Sequence, residues 1–179
     1  MNKSLIRKNI FKLRKKNYLK NLDVSFDFLL KILKSEKMTG KTIGGYYPYN
    51  YEINAIKILE KFEKKKYLIS LPKIKKNSQM NFYKWSTNEP LIINKFGIPE
   101  PTSNTQTSPE ILLVPLVAFD KYLNRIGYGG GYYDRYINRV KKYKKIITIG
   151  LAFSFQKVKK ISTYKHDMKL DYIVTEKNN

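Results

Sequence analysis

Nine consecutive residues at 111–119, ILLVPLVAF, carry no charged or polar side chain. A strand with one wet face alternates apolar and polar residues, whereas a strand covered on both faces reads as a continuous apolar run. The run therefore predicts an interior strand. Pro115 must sit at its end or at a bulge, because proline donates nothing to a ladder. Ile146 to Phe153 reads as a second buried strand and Asp171 to Thr175 as a last one. Shorter strands are expected at Thr42 to Tyr47, ended by Pro48, at Tyr67 to Leu71, closed by Pro72, and at Met80 to Trp85. Helical spacing fills the intervals. Residues 3–20 form a basic helix with Ile6, Ile10, Leu13 and Phe11 on its apolar side. Asp23 or Ser25 can cap a helix that buries Phe26, Leu29, Leu30 and Leu33. Asn50 is the expected cap of a helix carrying Ile53, Ile56, Leu59 and Phe62. Tyr132 to Tyr143 is a fourth helix. Residues 97–110, GIPEPTSNTQTSPE, with three prolines in a polar tract, read as loop. Strands alternating with helices imply an α/β fold: a single domain over residues 1–179, with a mostly parallel sheet flanked by helices in Rossmann-like layers.

Several chemistries are excluded at once. The chain has no cysteine and one histidine, His166. A disulfide framework, a thiolate nucleophile and a multi-histidine metal centre therefore fall away. A hydrophobic content of 42% over 179 residues suits a globular domain. The N-terminus is basic, but it lacks an uninterrupted apolar segment and a small-residue cleavage site, so it is not a secretory signal. No apolar run reaches the length of a membrane span. A cytoplasmic location is expected. The formal net charge of +22 raises a polyanion partner, which makes a basic nucleic-acid-binding module the alternative reading. The lysines, however, are spread along the chain and dominate over arginine, the residue suited to bidentate base contacts. Lys, Asn, Ile, Tyr and Phe, all abundant here, share A/T-rich codons. Nucleic acid is not the expected partner, but the field favours anionic small molecules.

The densest chemical signal is RIGYGGGYYDRY, Arg125 to Tyr136. Four glycines fall within five residues just before a predicted helix. The spacing matches neither G-x-x-x-x-G-K-[ST] nor G-x-G-x-x-G. The physics of a phosphate cradle holds nonetheless, since a glycine loop entering a helix presents bare N–H groups and the positive helix end to an anion. Arg125 adds a guanidinium. Asp134, in the first helical turn, either ligates magnesium or favours the helix N-terminus as a plain carboxylate. In open α/β sheets, ligands bind beyond the carboxyl ends of the strands, and the loop follows the strand ending near Phe119.

LVPLVAFDKYLNRIGYGGGYYDRY resembles the signature of the 5-formyltetrahydrofolate cyclo-ligases, also called 5,10-methenyltetrahydrofolate synthetases. Further pieces fall in the family's order: Lys3 and Arg7 as Lys-x-x-x-Arg, Tyr47 and Pro48 before Glu52, LPK at 71–73 ahead of Met80, GIPEP at 97–101, GLAF at 150–153 with Gln156, and HDMKLDYIVTE at 166–176. The resemblance implies an ATP- and magnesium-dependent conversion of 5-formyltetrahydrofolate to 5,10-methenyltetrahydrofolate with release of ADP and phosphate. Carried over, Lys3 and Arg7 reach the ATP phosphates. Arg125, Ile126, Gly127, Tyr128, Gly129, Gly130, Gly131, Tyr132 and Tyr133 form the nucleotide loop. Arg125 and Asp134 are the catalytic candidates, and Asp134 holds Mg2+ with Asp167. Tyr47, Glu52, Met80 and Phe96 line the folate site, with Phe96 standing where relatives often carry tryptophan. The implied partners are ATP and a reduced folate, with or without a polyglutamate tail, and a monomer is expected. A relative that keeps the nucleotide loop but has lost catalysis is a further reading.

Overall fold

The computed structural model describes residues 2–18, 22–75 and 79–178. Along the chain run α1 (Lys3–Asn17), α2 (Phe26–Ser35), β1 (Ile43–Gly44), α3 (Ala55–Lys64), β2 (Ile69–Ile74), β3 (Met80–Lys84), β4 (Leu91–Ile93), β5 (Pro99–Pro101), β6 (Gln106–Thr107), β7 (Ile111–Pro115), β8 (Ala118–Phe119), β9 (Arg125–Ile126), α4 (Tyr132–Val140), β10 (Ile147–Leu151) and β11 (Tyr172–Val174).

The apolar run becomes β7, whose residues Ile111 to Val114 are fully buried. Its alternate side chains serve two cores. Ile111 and Leu113 meet α2 and α3 through Leu29, Leu33, Leu59 and Phe62, while Leu112 and Val114 meet α4 through Tyr136, Ile137 and Val140. Coverage on both faces is why the run has no polar member. The seven-stranded sheet has the order β11-β10-β7-β1-β2-β3-β6. Its β11, β10, β7, β1 and β2 are mutually parallel, and β3 and β6 extend it antiparallel. This is the mixed α/β, mostly parallel arrangement that the sequence predicts. α1 packs Ile6 and Ile10 on Val117, Ala118 and Ile126, covering the small β8–β9 ribbon.

From β1 the chain crosses through α3 to β2 on one side, then returns to β7 on the other side of β1. The order therefore reverses between β1 and β7. In open α/β sheets that switch point, beyond the carboxyl ends of the strands, is where ligands bind.

Several local expectations differ from the fold. Asn54, not Asn50, caps α3, and its side chain accepts from the N–H groups of Ile56 and Lys57. Ile53 precedes the helix. Ser25 is the cap of α2. Leu13 is exposed and Arg14 is buried in its stead, because the buried stripe of α1 runs Ile6, Ile10, Arg14. Residues 19 and 20 of the expected first helix lie outside the described residues. Pro72 lies inside β2 rather than at its end. It is tolerated there because β1 pairs only with Ile69 and Ser70, so no ladder donor is needed beyond them. The 97–110 segment is not all loop. Pro99 to Pro101 pair with Leu91 to Ile93, and Gln106 and Thr107 pair with β3. These are two- and three-residue edge strands, where proline costs least. The long strand expected at 111–119 ends at Pro115, and Ala118 and Phe119 join β9 instead.

Asp120 organises the β8–β9 turn. Its Oδ1 accepts from the N–H groups of Tyr122 (2.9 Å) and Asn124 (3.1 Å), and its Oδ2 from that of Ile161 (2.9 Å). Burial raises its pKa, but the side-chain bond from Asn124 and these N–H groups outweigh it and hold the carboxyl below its usual value. Asp120→Ala leaves buried donors without an acceptor and is expected to cost about 3 kcal/mol of stability, read as a lower urea midpoint. The wild-type contribution is present above the ordinary carboxylate range and is lost as pH falls through the depressed value.

Candidate functional site

Two walls face one another across the switch point. The first is the glycine loop between β9 and α4. Gly129 and Gly131 adopt φ of +111° and +65°, which L side chains rarely tolerate. Gly131 is the cap residue of α4 and supplies no side-chain acceptor. The first-turn N–H groups of α4 are thereby left for an external anion. α1 lies beside this loop. Arg7 Nε donates to Gly127 O at 2.8 Å, and a Cβ on Gly129 would stand 3.7 Å from the Arg7 guanidinium. Lys3 Nζ pairs with Asp167 Oδ2 at 2.7 Å.

Arg125 closes a ring of contacts under the loop. It pairs with Asp134 Oδ1 at 3.0 Å and donates to Met168 O at 2.6 Å. The Met168 N–H returns to Asp134 Oδ1 at 2.9 Å. The 164–168 segment is thus drawn to the base of α4, with Asp167 next in the chain to the Met168 that bonds Asp134. Burial raises the Asp167 pKa, but the hydrogen bonds from Lys3 and the Tyr164 N–H outweigh it and keep the carboxyl below its ordinary value. Among the described residues no group of three or more His, Cys, Asp or Glu could hold a metal ion. Two hard carboxylates nevertheless suit magnesium, which is commonly held by one or two carboxylates with phosphate oxygens and waters completing its shell.

The second wall follows β1. Glu52 is buried, and its Oε2 accepts from the Tyr49 N–H at 2.9 Å. Arg14, 2% exposed, lies opposite it at 3.9 Å. Burial pushes Glu52 up to about 7, against the lowering effect of Arg14, the Tyr49 N–H and Tyr128. Asn50 and Tyr51 hold φ of +49° and +58°, strain that a non-glycine backbone keeps only where its surroundings enforce it. Tyr128 links the walls. Its ring stacks on Phe11 at 5.5 Å, and its hydroxyl donates to Tyr49 O at 3.2 Å while accepting from Arg14 at 2.9 Å.

The family model described as the 5-formyltetrahydrofolate cyclo-ligase family matches residues 1–176. The chain belongs to that family. It is 34% identical over 143 residues to the 5-formyltetrahydrofolate cyclo-ligase of Haemophilus influenzae, covering 75% of each chain. It is 30% identical to that of Mycoplasma pneumoniae over 98% of this chain and 99% of the relative. The solved structure of Aquifex aeolicus 5,10-methenyltetrahydrofolate synthetase superposes with a TM-score of 0.75 at 29% identity, covering 99% of this chain and 91% of that one.

In this cyclo-ligase fold Lys3, Arg7, Arg125, the 127–131 loop, Asp134 and Asp167 come together at the amino end of α4. Ile126 and Tyr133 are behind the loop, Ile126 in the α1 core and Tyr133 against Phe82. Tyr132 packs under Arg135. Glu52 and Tyr128 meet across the switch point. Tyr47 is 37% exposed on the β1 side. Phe96 is 47% exposed at the tip of the β4–β5 hairpin, with Lys95 over its ring, so no contact joins it to Glu52 among the described residues. Met80 is buried with Phe82 and Tyr136 in the α4 core. The sequence reading missed Arg14, Tyr49 and the local role of Gln156, whose Nε2 donates to Leu116 O and Val117 O at 2.9 and 2.8 Å. Arg14 had a usable signal. It stands seven residues after Arg7, two helical turns along the same face, in register with Ile6 and Ile10.

Glu52 carries a pH dependence of defined sign. Its folded pKa lies above the ordinary carboxylate value, so its stabilising contribution is complete below that value and is lost as pH rises through about 7. Glu52→Gln removes the titration. Between pH 4 and pH 8 the variant is expected to gain about 3 kcal/mol on wild type, measured as diverging urea midpoints. Parallel profiles would show that Glu52 titrates normally.

Proposed function

We propose that the chain converts 5-formyltetrahydrofolate to 5,10-methenyltetrahydrofolate, consuming ATP in a magnesium-dependent reaction that releases ADP and phosphate. The observation that carries this reading is the convergence of an uncapped α4 N-terminus, a glycine loop and three cations, Lys3, Arg7 and Arg125, on one side of the switch point, with a buried carboxylate, Glu52, on the other. The first side suits a polyphosphate and the second a molecule with a polar donor edge.

In this reading the loop N–H groups, with Lys3 and Arg7, hold the phosphates in line. The formyl oxygen, a poor leaving group, attacks the γ-phosphorus and displaces ADP. The resulting imidate phosphate is attacked at the former formyl carbon by the nitrogen at position 10, which loses its proton as the ring closes and phosphate departs. Such a reaction needs positioning and charge neutralisation more than a protein nucleophile, consistent with a chain that has no cysteine. Asp134 and Asp167 would hold magnesium, which would supply charge neutralisation at the phosphates. Arg125 orients Asp134. Glu52 accepts hydrogen bonds from the pterin's donor edge, and Tyr47, Met80 and Phe96 complete the folate side. The net charge of +22 draws both anionic substrates inward. Among the described residues no helix is long and apolar enough to cross a membrane.

The test is direct. Purified protein mixed with 5-formyltetrahydrofolate, ATP and magnesium should develop the near-ultraviolet absorbance of methenyltetrahydrofolate, and omission of either ATP or magnesium should abolish it. A flat trace from folded protein overturns the reading. Asp134→Asn still accepts the Met168 N–H through its Oδ1, so the fold should survive while kcat falls by about 100-fold or more. Wild-type turnover by that variant would remove Asp134 from the metal site.

A further inference from the structure

Arg14 is a full cation in the interior of the protein, and the proposed reaction gives it no task. Its environment is unusual in that its partners come from three separate segments. NH2 donates to Leu116 O, just beyond the carboxyl end of β7. NH1 donates to Tyr128 Oη at 2.9 Å in the glycine loop and reaches Asn50 O at 3.4 Å in the strained turn before Glu52. Glu52 Oε1 stands 3.9 Å from the same NH1. Only a planar fork with several donors spans partners this divergent from one head group. Neither Arg14 Nε nor Glu52 Oε1 has another hydrogen-bond partner among the described residues. The interaction between them is therefore a loose charge pair rather than a closed bidentate one, and it leaves Glu52 an oxygen with which to accept from a ligand.

We propose that Arg14 is a positioning residue that locks the Glu52 wall and the glycine loop into one geometry, so that occupation of either side favours binding on the other. This inference rests on the assignment of ATP to the glycine loop and of the folate to the Glu52 wall. The links between the two sides are continuous contacts. A ligand that orders the glycine loop fixes Tyr128. Tyr128 is tied to Tyr49 O and to Arg14, and Arg14 is tied to Asn50 O and paired with Glu52. A ligand that orders Glu52 acts along the same links in reverse, as linkage requires. The backbone at Asn50 and Tyr51 lies in the left-handed region, so without the Arg14 contact that turn has reason to relax and carry Glu52 away.

A second consequence is electrostatic. The groups that face Glu52 are Arg14 from α1, Tyr46 from its own segment, Tyr128 from the glycine loop and Tyr133 from α4. All three tyrosines are pushed up, by burial first and by the Glu52 charge second, so they remain neutral phenols at neutral pH. Arg14 is the one charged member of the set. It is the largest influence opposing the burial that keeps Glu52 protonated, ahead of the Tyr49 N–H and Tyr128.

The test uses full-length wild type, Arg14→Gln, Arg14→Lys and Tyr128→Phe, each checked for folding by circular dichroism. Turnover of 5-formyltetrahydrofolate by wild type is measured first. Its absence defeats the assignment of function, whereas the coupling between the walls is read from binding. With an active wild type, titration of 5-formyltetrahydrofolate with and without a non-hydrolysable ATP analogue and magnesium should show about tenfold tighter folate binding when the nucleotide site is filled. Arg14→Gln and Tyr128→Phe should reduce that factor to about twofold or less. The acid limb of kcat/KM for the folate should move up by about one pH unit or more in Arg14→Gln and return towards wild type in Arg14→Lys, which keeps the charge but not the fork. A coupling factor near unity in wild type, or one unchanged in the variants, overturns the proposal. So does an Arg14→Gln enzyme that is merely slower at every pH. If Arg14→Gln does not fold, Tyr128→Phe, which keeps its ring on Phe11, decides the coupling alone.

Discussion

The carbonyls just past the end of β7 are the constraint around which the site is arranged. Leu116 and Val117 are fully buried, yet their strand has ended, and among the described residues no ladder N–H donates to their carbonyls. A buried carbonyl without a partner is costly. Two side chains from opposite parts of the chain meet the need: the Arg14 guanidinium serves Leu116 O, and the Gln156 amide serves Leu116 O and Val117 O. With Arg14 seated there, α1 lies across the β8–β9 ribbon. Because α1 lies there, Lys3 and Arg7 reach the glycine loop and its neighbour Asp167.

Burying that cation sets the character of the second wall. A guanidinium away from water needs acceptors and a counter-charge, and Asn50 O, Tyr128 Oη and Glu52 supply them. The pairing is loose, at 3.9 Å, and burial outweighs it, leaving Glu52 with a pKa of about 7. On the first wall the balance runs the other way. Asp167 lies near solvent, takes a short contact from Lys3 and remains an ionised carboxylate. The site thus holds an anion on the side proposed for phosphate and metal, and a carboxyl poised near neutrality on the side proposed for a neutral donor edge. Environment alone separates the two roles.

Much of the architecture was legible because it follows from burial. The apolar runs that open at 111 and 146 supply the interior strands β7 and β10, and the periodicity of 26–33 and 53–62 supplies the covered helices α2 and α3. The boundaries were less legible. Asn50 and Asn54 are both acceptable caps, and only the chain's need to turn at Asn50 and Tyr51, bringing Glu52 inward, assigns the cap to Asn54. The polar, proline-rich 97–110 tract shows no strand pattern because its pairings are short edge ladders that depend on neighbours distant in sequence.

For the site, the feature legible in the residues was the glycine loop, and its reading as a phosphate cradle is the proposal made from it. Glycines before a helix, flanked by Arg125 and Asp134, have that property in any fold, because backbone freedom and local charge depend on near neighbours in the chain. Everything that requires two distant segments to meet was decided by the tertiary structure. Arg14 in a row of lysines looks like solvated charge until α1 is laid across the end of β7. Glu52 looks like a surface carboxylate until that same guanidinium and the Tyr49 N–H enclose it. The tertiary structure likewise places Phe96 on the exposed tip of the β4–β5 hairpin and Met80 beside the α4 core. Local propensity acts over a few residues, whereas desolvation and pairing act through space. The first is written in the order of the side chains, and the second exists only once the sheet has brought them together.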